Sequence, residues 1–231
     1  VTGRGFGRAL LGSGLLVVTL LGGAGGYGLG LLTTDQRASA GVAAAPLAPA
    51  ASAKTTTPPP KKLIPDDSEP LQAEDIRYKT REFTVIYRLE SRVKVRVPGN
   101  WDPALQDPPK EMRFNEPARK RLVRIQAGFT IERPPEESMD IRIGVLKALS
   151  ADQMVTIKSR TVDPVTQHAT LVYTYAEKLS LRHVITRWVA NKDGLCAFEI
   201  GVSGLPQDKA ALEEILDRAA ESATRSDSPL N

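Results

Sequence analysis

Residues 181–204 read LRHVITRWVANKDGLCAFEIGVSG. Two runs rich in β-branched and aromatic residues flank Asn191-Lys192-Asp193-Gly194, a hairpin-turn sequence in which Asp-Gly supplies the positive-φ positions. The segment predicts two antiparallel strands, and ATLVYTYAE (169–177) predicts a third just before them. Downstream, Pro206 opens a helix in which Leu212, Ile215, Leu216, Ala219 and Ala223 recur at helical spacing on one apolar face. That face must be buried, most simply on the sheet. Residues 76–224 therefore predict an α+β domain, an antiparallel sheet flanked by helices. Ser203, in GVSGLP, reads as the polar lead-in that caps the last helix.

Nearer the N-terminus, REFTVIYRL alternates Phe83, Val85, Tyr87 and Leu89 on one face. RVKVRV sets Val93, Val95 and Val97 against Arg92, Lys94 and Arg96, and Pro98-Gly99-Asn100 stops the strand. Met112 and Phe114 mark a short strand, Asn115-Glu116-Pro117 turns the chain, and RLVRIQAGFTI returns. Pro134-Pro135-Glu136-Glu137 predicts a helix start, with acids where the helix dipole favours them. Met139, Ile143 and Leu146 then share a helical stripe, although Ile141, Ile143 and Val145 also alternate like a strand. Val155-Thr156-Ile157 predicts a strand, and Asp163-Pro164 a turn.

Residues 33–75 are rich in Ala, Pro, Thr and Ser and lack a hydrophobic period. Such a composition cannot bury enough surface to offset its ordering entropy, which predicts a disordered linker. Residues 225–231 are expected to be a disordered tail. Before the linker, Ala9–Leu32 contains no charged residue, and its 24 positions exceed the roughly 20 needed to cross a bilayer. Arg4 and Arg8 precede the run, whereas Asp35 and Arg37 cancel after it. This predicts a short cytoplasmic segment over 1–8, a single-pass transmembrane helix over 9–32 and an extracytoplasmic remainder at the cell membrane. The competing reading is a cleavable signal peptide with its hydrophobic region at Ala9–Leu21 and cleavage near Gly22-Gly23-Ala24. Against it, apolar character continues through Tyr27, Leu29, Leu31 and Leu32.

The strand ending in VPGNW, a hairpin, a helix, the strand pair around RWVANKDGLCAFEIGV and the closing helix KAALEEILDRAAES resemble the PsbP/Mog-like fold. Actinobacterial exported proteins of the LpqN type share that likeness, which spans about residues 81–222. The resemblance implies an α/β/α sandwich and a non-catalytic binding or accessory domain. The chain departs from the lipoprotein members in lacking a lipidated cysteine after the apolar run. REFTVIYRL is an extra strand ahead of the family's usual start. No family site transfers residue by residue, and fold alone does not choose a partner.

Lys and Arg number 31 against 27 Asp and Glu, and from Leu71 onward 25 against 23. That near balance, with the exported topology, excludes a nucleic-acid partner. The histidines His168 and His183 lack metal-ligand spacing, so neither a metal nor a cofactor is expected. Cys196, the single cysteine, lies in an apolar run and reads as a buried small hydrophobe. Asp102 and Asp107 could pair as carboxylates for acid–base work, but they lie in a proline-rich loop with no hydrophobic pocket in view. Trp101 and Trp188 read as core anchors.

One feature could meet anionic lipid heads or acidic wall polymers. Arg92, Lys94 and Arg96 lie on one strand face, and Arg119, Lys120, Arg121 and Arg124 cluster in the following hairpin. The plainer reading is a set of solvated charges. The functional expectation is thus a membrane-anchored binding or accessory domain whose partner is a protein or envelope ligand. The alternatives are a lipid carrier with an apolar pocket between closing helix and sheet, and an envelope hydrolase.

Overall fold

The 181–204 segment forms the hairpin it predicts. The structure, a computed structural model, describes residues 62–106 and 109–230. The apolar run at 9–32, the residues before it, the linker through residue 61, Asp107 and Asn231 lie outside the described residues. Among the described residues, no helix is long and apolar enough to cross a membrane.

The elements run β1 (Tyr78–Ile86), β2 (Glu90–Pro98), β3 (Asp102–Leu105), β4 (Glu111–Asn115), β5 (Leu122–Gln126) and α1 (Pro135–Lys147). Then come β6 (Thr156–Val162), β7 (Ala169–Glu177), β8 (Ser180–Ala190), β9 (Cys196–Gly204), α2 (Lys209–Ser222) and β10 (Thr224–Ser228). The fold is α+β, but the single expected sheet is two antiparallel sheets. One has the order β1-β2-β10, the other β3-β4-β5-β9-β8-β7-β6. At the β8–β9 turn only Gly194 takes a positive φ, 76°. Asp193 does not, because the connection is a five-residue loop, 191–195, in which the Asn191 side-chain oxygen accepts the Asp193 and Leu195 amides, each at 2.9 Å, and one left-handed residue closes the bend.

Period-two patterning sorts β8 between two cores. Ile185 and Val189 join one apolar cluster, while Val184 and Trp188 join the other on the opposite face. The first cluster is built around α2. Leu212, Ile215, Leu216 and Ala219 are 0–1% exposed, and α2 packs against β2 of the small sheet and β8 and β9 of the large one. Val93, Val95 and Val97 complete that core, with Phe83 edge-on to Phe114 at 5.9 Å between ring centres. The second cluster lies under α1, where Met139 and Leu146 meet Leu171, Tyr173 and Trp188.

Two boundaries differ from expectation. The stretch before β1 is bound to the domain: the Ile64 amide donates to the Leu179 carbonyl at 2.8 Å, and the Leu71 amide to Asp208 at 2.9 Å. The expected tail contains β10, which pairs with β2. TRSDS carries no apolar alternation, so nothing local marks it as a strand. It is fixed by Arg225, which donates to the Ala197 carbonyl at 2.8 Å and the Phe129 carbonyl at 2.5 Å and lies over the Phe129 ring. Arg225→Ala is expected to cost about 1.5–3 kcal/mol, the range for hydrogen bonds to a charged group. Urea denaturation would read this, and removal of residues after Ser228 should change little.

Candidate functional site

The seven basic candidates fall in different places. Arg92, Lys94 and Arg96 project from β2, the middle strand of the small sheet, with exposed side chains. Across from them stand Thr84, Glu82 and Thr80 on β1, while Ser226 and Thr224 of β10 face Arg92 and Lys94. This outer face is polar throughout this row because the alternate residues, Val93, Val95 and Val97, are spent on the core at 0% exposure. Arg92 Nε lies 3.5 Å from Glu82 Oε1, both exposed, a contact worth about 0–1 kcal/mol. Lys94 and Arg96 make no ion pair among the described residues.

Arg119 and Lys120 occupy the turn between β4 and β5. Arg119 is exposed with φ 56°. Lys120 Nζ pairs with Asp66 Oδ1 at 3.0 Å. Hydrogen bonds from the Ser68 hydroxyl and then from Lys120 lower the Asp66 carboxyl to about 2.

Arg121 and Arg124 are not surface cations, and this corrects the sequence grouping. Arg121 Nε and Nη2 donate to the two oxygens of Asp208 at 2.7 and 2.8 Å, and Nη2 also reaches the Glu69 carbonyl at 2.8 Å. Asp208 is 0% exposed and accepts the Leu71 and Leu205 amides as well, each at 2.9 Å. Burial alone would push its carboxyl up, but these hydrogen bonds hold it below the usual range. The pair ties the segment before β1 to the start of α2.

Arg124 points from β5 onto the α1 side of the large sheet. There it meets a buried charge cluster formed by Glu199 of β9, Arg142 of α1, Glu111 of β4 and Gln126 of β5. One Glu199 oxygen accepts from both Arg124 and Arg142, and the other accepts the Trp188 indole N–H at 3.0 Å. Glu111 accepts from Arg124 at 3.3 Å, Gln126 at 3.0 Å and Arg113 at 2.7 Å. Burial would raise the Glu199 carboxyl, but the Arg142 and Arg124 guanidiniums outweigh it and hold it down. Every charge in the cluster faces an opposite one. Such an arrangement locks α1 to the sheet.

Other candidate groups are apart from one another. His168 Nδ1 accepts the Ala190 amide at 3.2 Å, and burial with Arg187 nearby lowers its pKa. His183 sits within β8, where burial and then Lys209 lower its pKa. Cys196 is buried, and burial, assisted by Glu199, pushes its thiol up to about 12. Trp101 and Trp188 are core residues at 3% and 2% exposure. Ser203 lies inside β9, not at a helix start, and Asp102 lies on β3. Asp208 provides the polar lead-in to α2 by bonding back to the Leu205 amide. Among the described residues, no group of three or more His, Cys, Asp or Glu could hold a metal ion.

No family model matches the sequence, and no curated protein matches it. Among solved structures, the chain is similar to LpqN of Mycobacterium tuberculosis, a protein involved in cell envelope biogenesis. The two are 15% identical at a TM-score of 0.40, over 67% of this chain and 94% of LpqN.

Proposed function

We propose that this chain is a non-catalytic binding or accessory domain of the cell envelope, of the PsbP/Mog-like kind, held outside a membrane by residues 9–32. The observation that carries the reading is the row Arg92, Lys94 and Arg96 on the outer face of the β1-β2-β10 sheet. Alternate residues of a strand stand about 7 Å apart, so the row offers three cations over about 14 Å. A flat face of this kind suits repeated anionic groups, such as lipid heads or acidic wall polymers. The uncharged run at 9–32, with Arg4 and Arg8 before it, supports the topology. A surface binder is favoured over a lipid carrier because Leu212, Ile215 and Leu216 fill the space between closing helix and sheets. The paired charges around Glu199 and the raised Cys196 thiol favour binding over hydrolysis.

The test uses a fragment beginning at Lys62, which carries every described strand and helix but not the apolar run. It is expected to sediment with phosphatidylglycerol vesicles at low salt and not with neutral ones. Each basic residue at an anionic surface contributes about 1 kcal/mol. Changing Arg92, Lys94 and Arg96 together to Gln should therefore weaken binding roughly 100-fold. Unchanged sedimentation of the triple variant would discard the face.

A further inference from the structure

A cleft of about 720 Å³ opens between three parts of the chain. Its walls are the segment around Asp66 and Asp67, the β4–β5 turn with Arg119 and Lys120, and the β7–β8 turn with Lys178. The segment is pinned on one side by the Ile64 amide on the Leu179 carbonyl at 2.8 Å, and on the other by Lys120 on Asp66 at 3.0 Å. Arg182 braces the two turns, donating to Glu177 at 2.7 Å and to the Lys120 carbonyl at 2.9 Å. The cleft is therefore held open by a hydrogen-bonded frame.

That frame uses Lys120 and Arg182 but not the other two cations. Arg119 and Lys178 make no ion pair among the described residues. Both stand at hairpin turns in the left-handed region, each with φ 56°. Glycine, asparagine and aspartate suit that conformation, and a long L side chain there is disfavoured. Two turns at one cleft nonetheless place a long cation in it, and backbone strain sustained by a surrounding frame collects at ligand sites. Ser180 also lines the cleft, with its Oγ buried and lacking a hydrogen-bond partner.

We propose that the cleft binds a small phosphate monoester with hydroxyls, of the sugar- or glycerol-phosphate class. Arg119 and Lys178 match the two negative charges of the phosphate, with the Arg fork suited to its oxygens. Asp67, an exposed residue of the cleft wall, is available to accept from the hydroxyl-bearing part. The site shares no residue with the β2 face and stands independently of the reading proposed for that face.

The full chain in non-ionic detergent, titrated calorimetrically with glycerol 3-phosphate and with inorganic phosphate, is expected to bind both saturably. Binding should weaken at least tenfold in the Arg119→Gly/Lys178→Gly double variant. Glycine fits φ 56°, so this variant should melt no lower than the parent. If it does melt lower, Arg119→Gln/Lys178→Gln keeps the side-chain bulk, and loss of binding there supports the site. Competition by phosphatidic acid in the micelles would show that a lipid phosphate enters the same cleft, and its absence would confine the ligand to soluble esters. Undetectable binding by the parent chain, or equal binding by both double variants, would overturn the proposal. So would loss of phosphate binding on neutralising Arg92, Lys94 and Arg96, which would move the anion site to β2.

Discussion

Leu216→Asp is expected to abolish the cooperative unfolding transition, leaving a chain without the near-ultraviolet dichroism of packed aromatic residues. Leu216 is 1% exposed on α2, amid residues that belong to both sheets. Losing a buried leucine side chain costs about 2–5 kcal/mol. A carboxylate put there without a partner adds several more, or must be protonated to stay. Domains of this size are stable by about 5–15 kcal/mol, so the sum consumes most or all of the margin. The effect should be specific to the inner face. Leu216→Met should cost under about 1.5 kcal/mol, and Glu213→Ala on the exposed face about 0.5 kcal/mol or less. Thermal melting of Leu216→Asp at the parent temperature would remove α2 from the position between the sheets.

The residues that predict this helix were legible because its periodicity is self-contained. Leu212, Ile215, Leu216 and Ala219 lie within two turns of one another, and helix geometry alone puts them on one face. The same holds for β7, β8 and β9, where apolar alternation and a Gly-containing turn are close in sequence. What stayed hidden depends on distant partners. β10 is a polar pentapeptide whose strand state comes from pairing with β2 and from Arg225 gripping carbonyls of residues 129 and 197. Ser91 and Asp227 add a cross-strand hydrogen bond between residues 136 positions apart. The end of the linker is ordered for a similar reason. Leu71 is tied to Asp208 across 137 positions, a contact no local window contains.

The candidate site divides along the same line. Alternation in RVKVRV was enough to place Arg92, Lys94 and Arg96 outward, because their neighbours are all valine. In RLVRIQ the same rule was available: Val123 and Ile125 point to the α2 core, so Arg124 points to the other face. It is buried rather than solvated because that face, too, is covered. Sheet order decides this, and Glu199 and Arg142 provide the countercharge. Glu199 left a signal of its own, a single carboxylate in CAFEIGV on a strand with apolar residues at every other position. Arg142 left another, since it lies three residues after Met139 and four before Leu146, on the buried stripe of α1.

Removing that carboxylate yields the second large effect. Glu199→Ala should destabilise the domain by about 3–5 kcal/mol, the range for leaving one side of a buried ion pair uncompensated. The Arg142 guanidinium would lose its carboxylate acceptor, Arg124 would lose one of its two countercharges while keeping Glu111, and the Trp188 N–H would lose its acceptor. Glu199→Gln should cost less, because an amide oxygen can still accept from one guanidinium while the charge is gone. The acid limb distinguishes charge from hydrogen bonding. The folded Glu199 carboxyl is held below its ordinary value, so its contribution is complete above the unfolded value of about 4.3 and is lost as pH falls through the folded one. The parent's advantage over Glu199→Gln should therefore be constant from about pH 7 to 5 and shrink in stronger acid. Urea denaturation followed by far-ultraviolet dichroism is the suitable readout, since Trp188 fluorescence would report the local change directly. An advantage that persisted undiminished at the lowest pH would mean that Glu199 acts through its shape and hydrogen bonds, not through its charge.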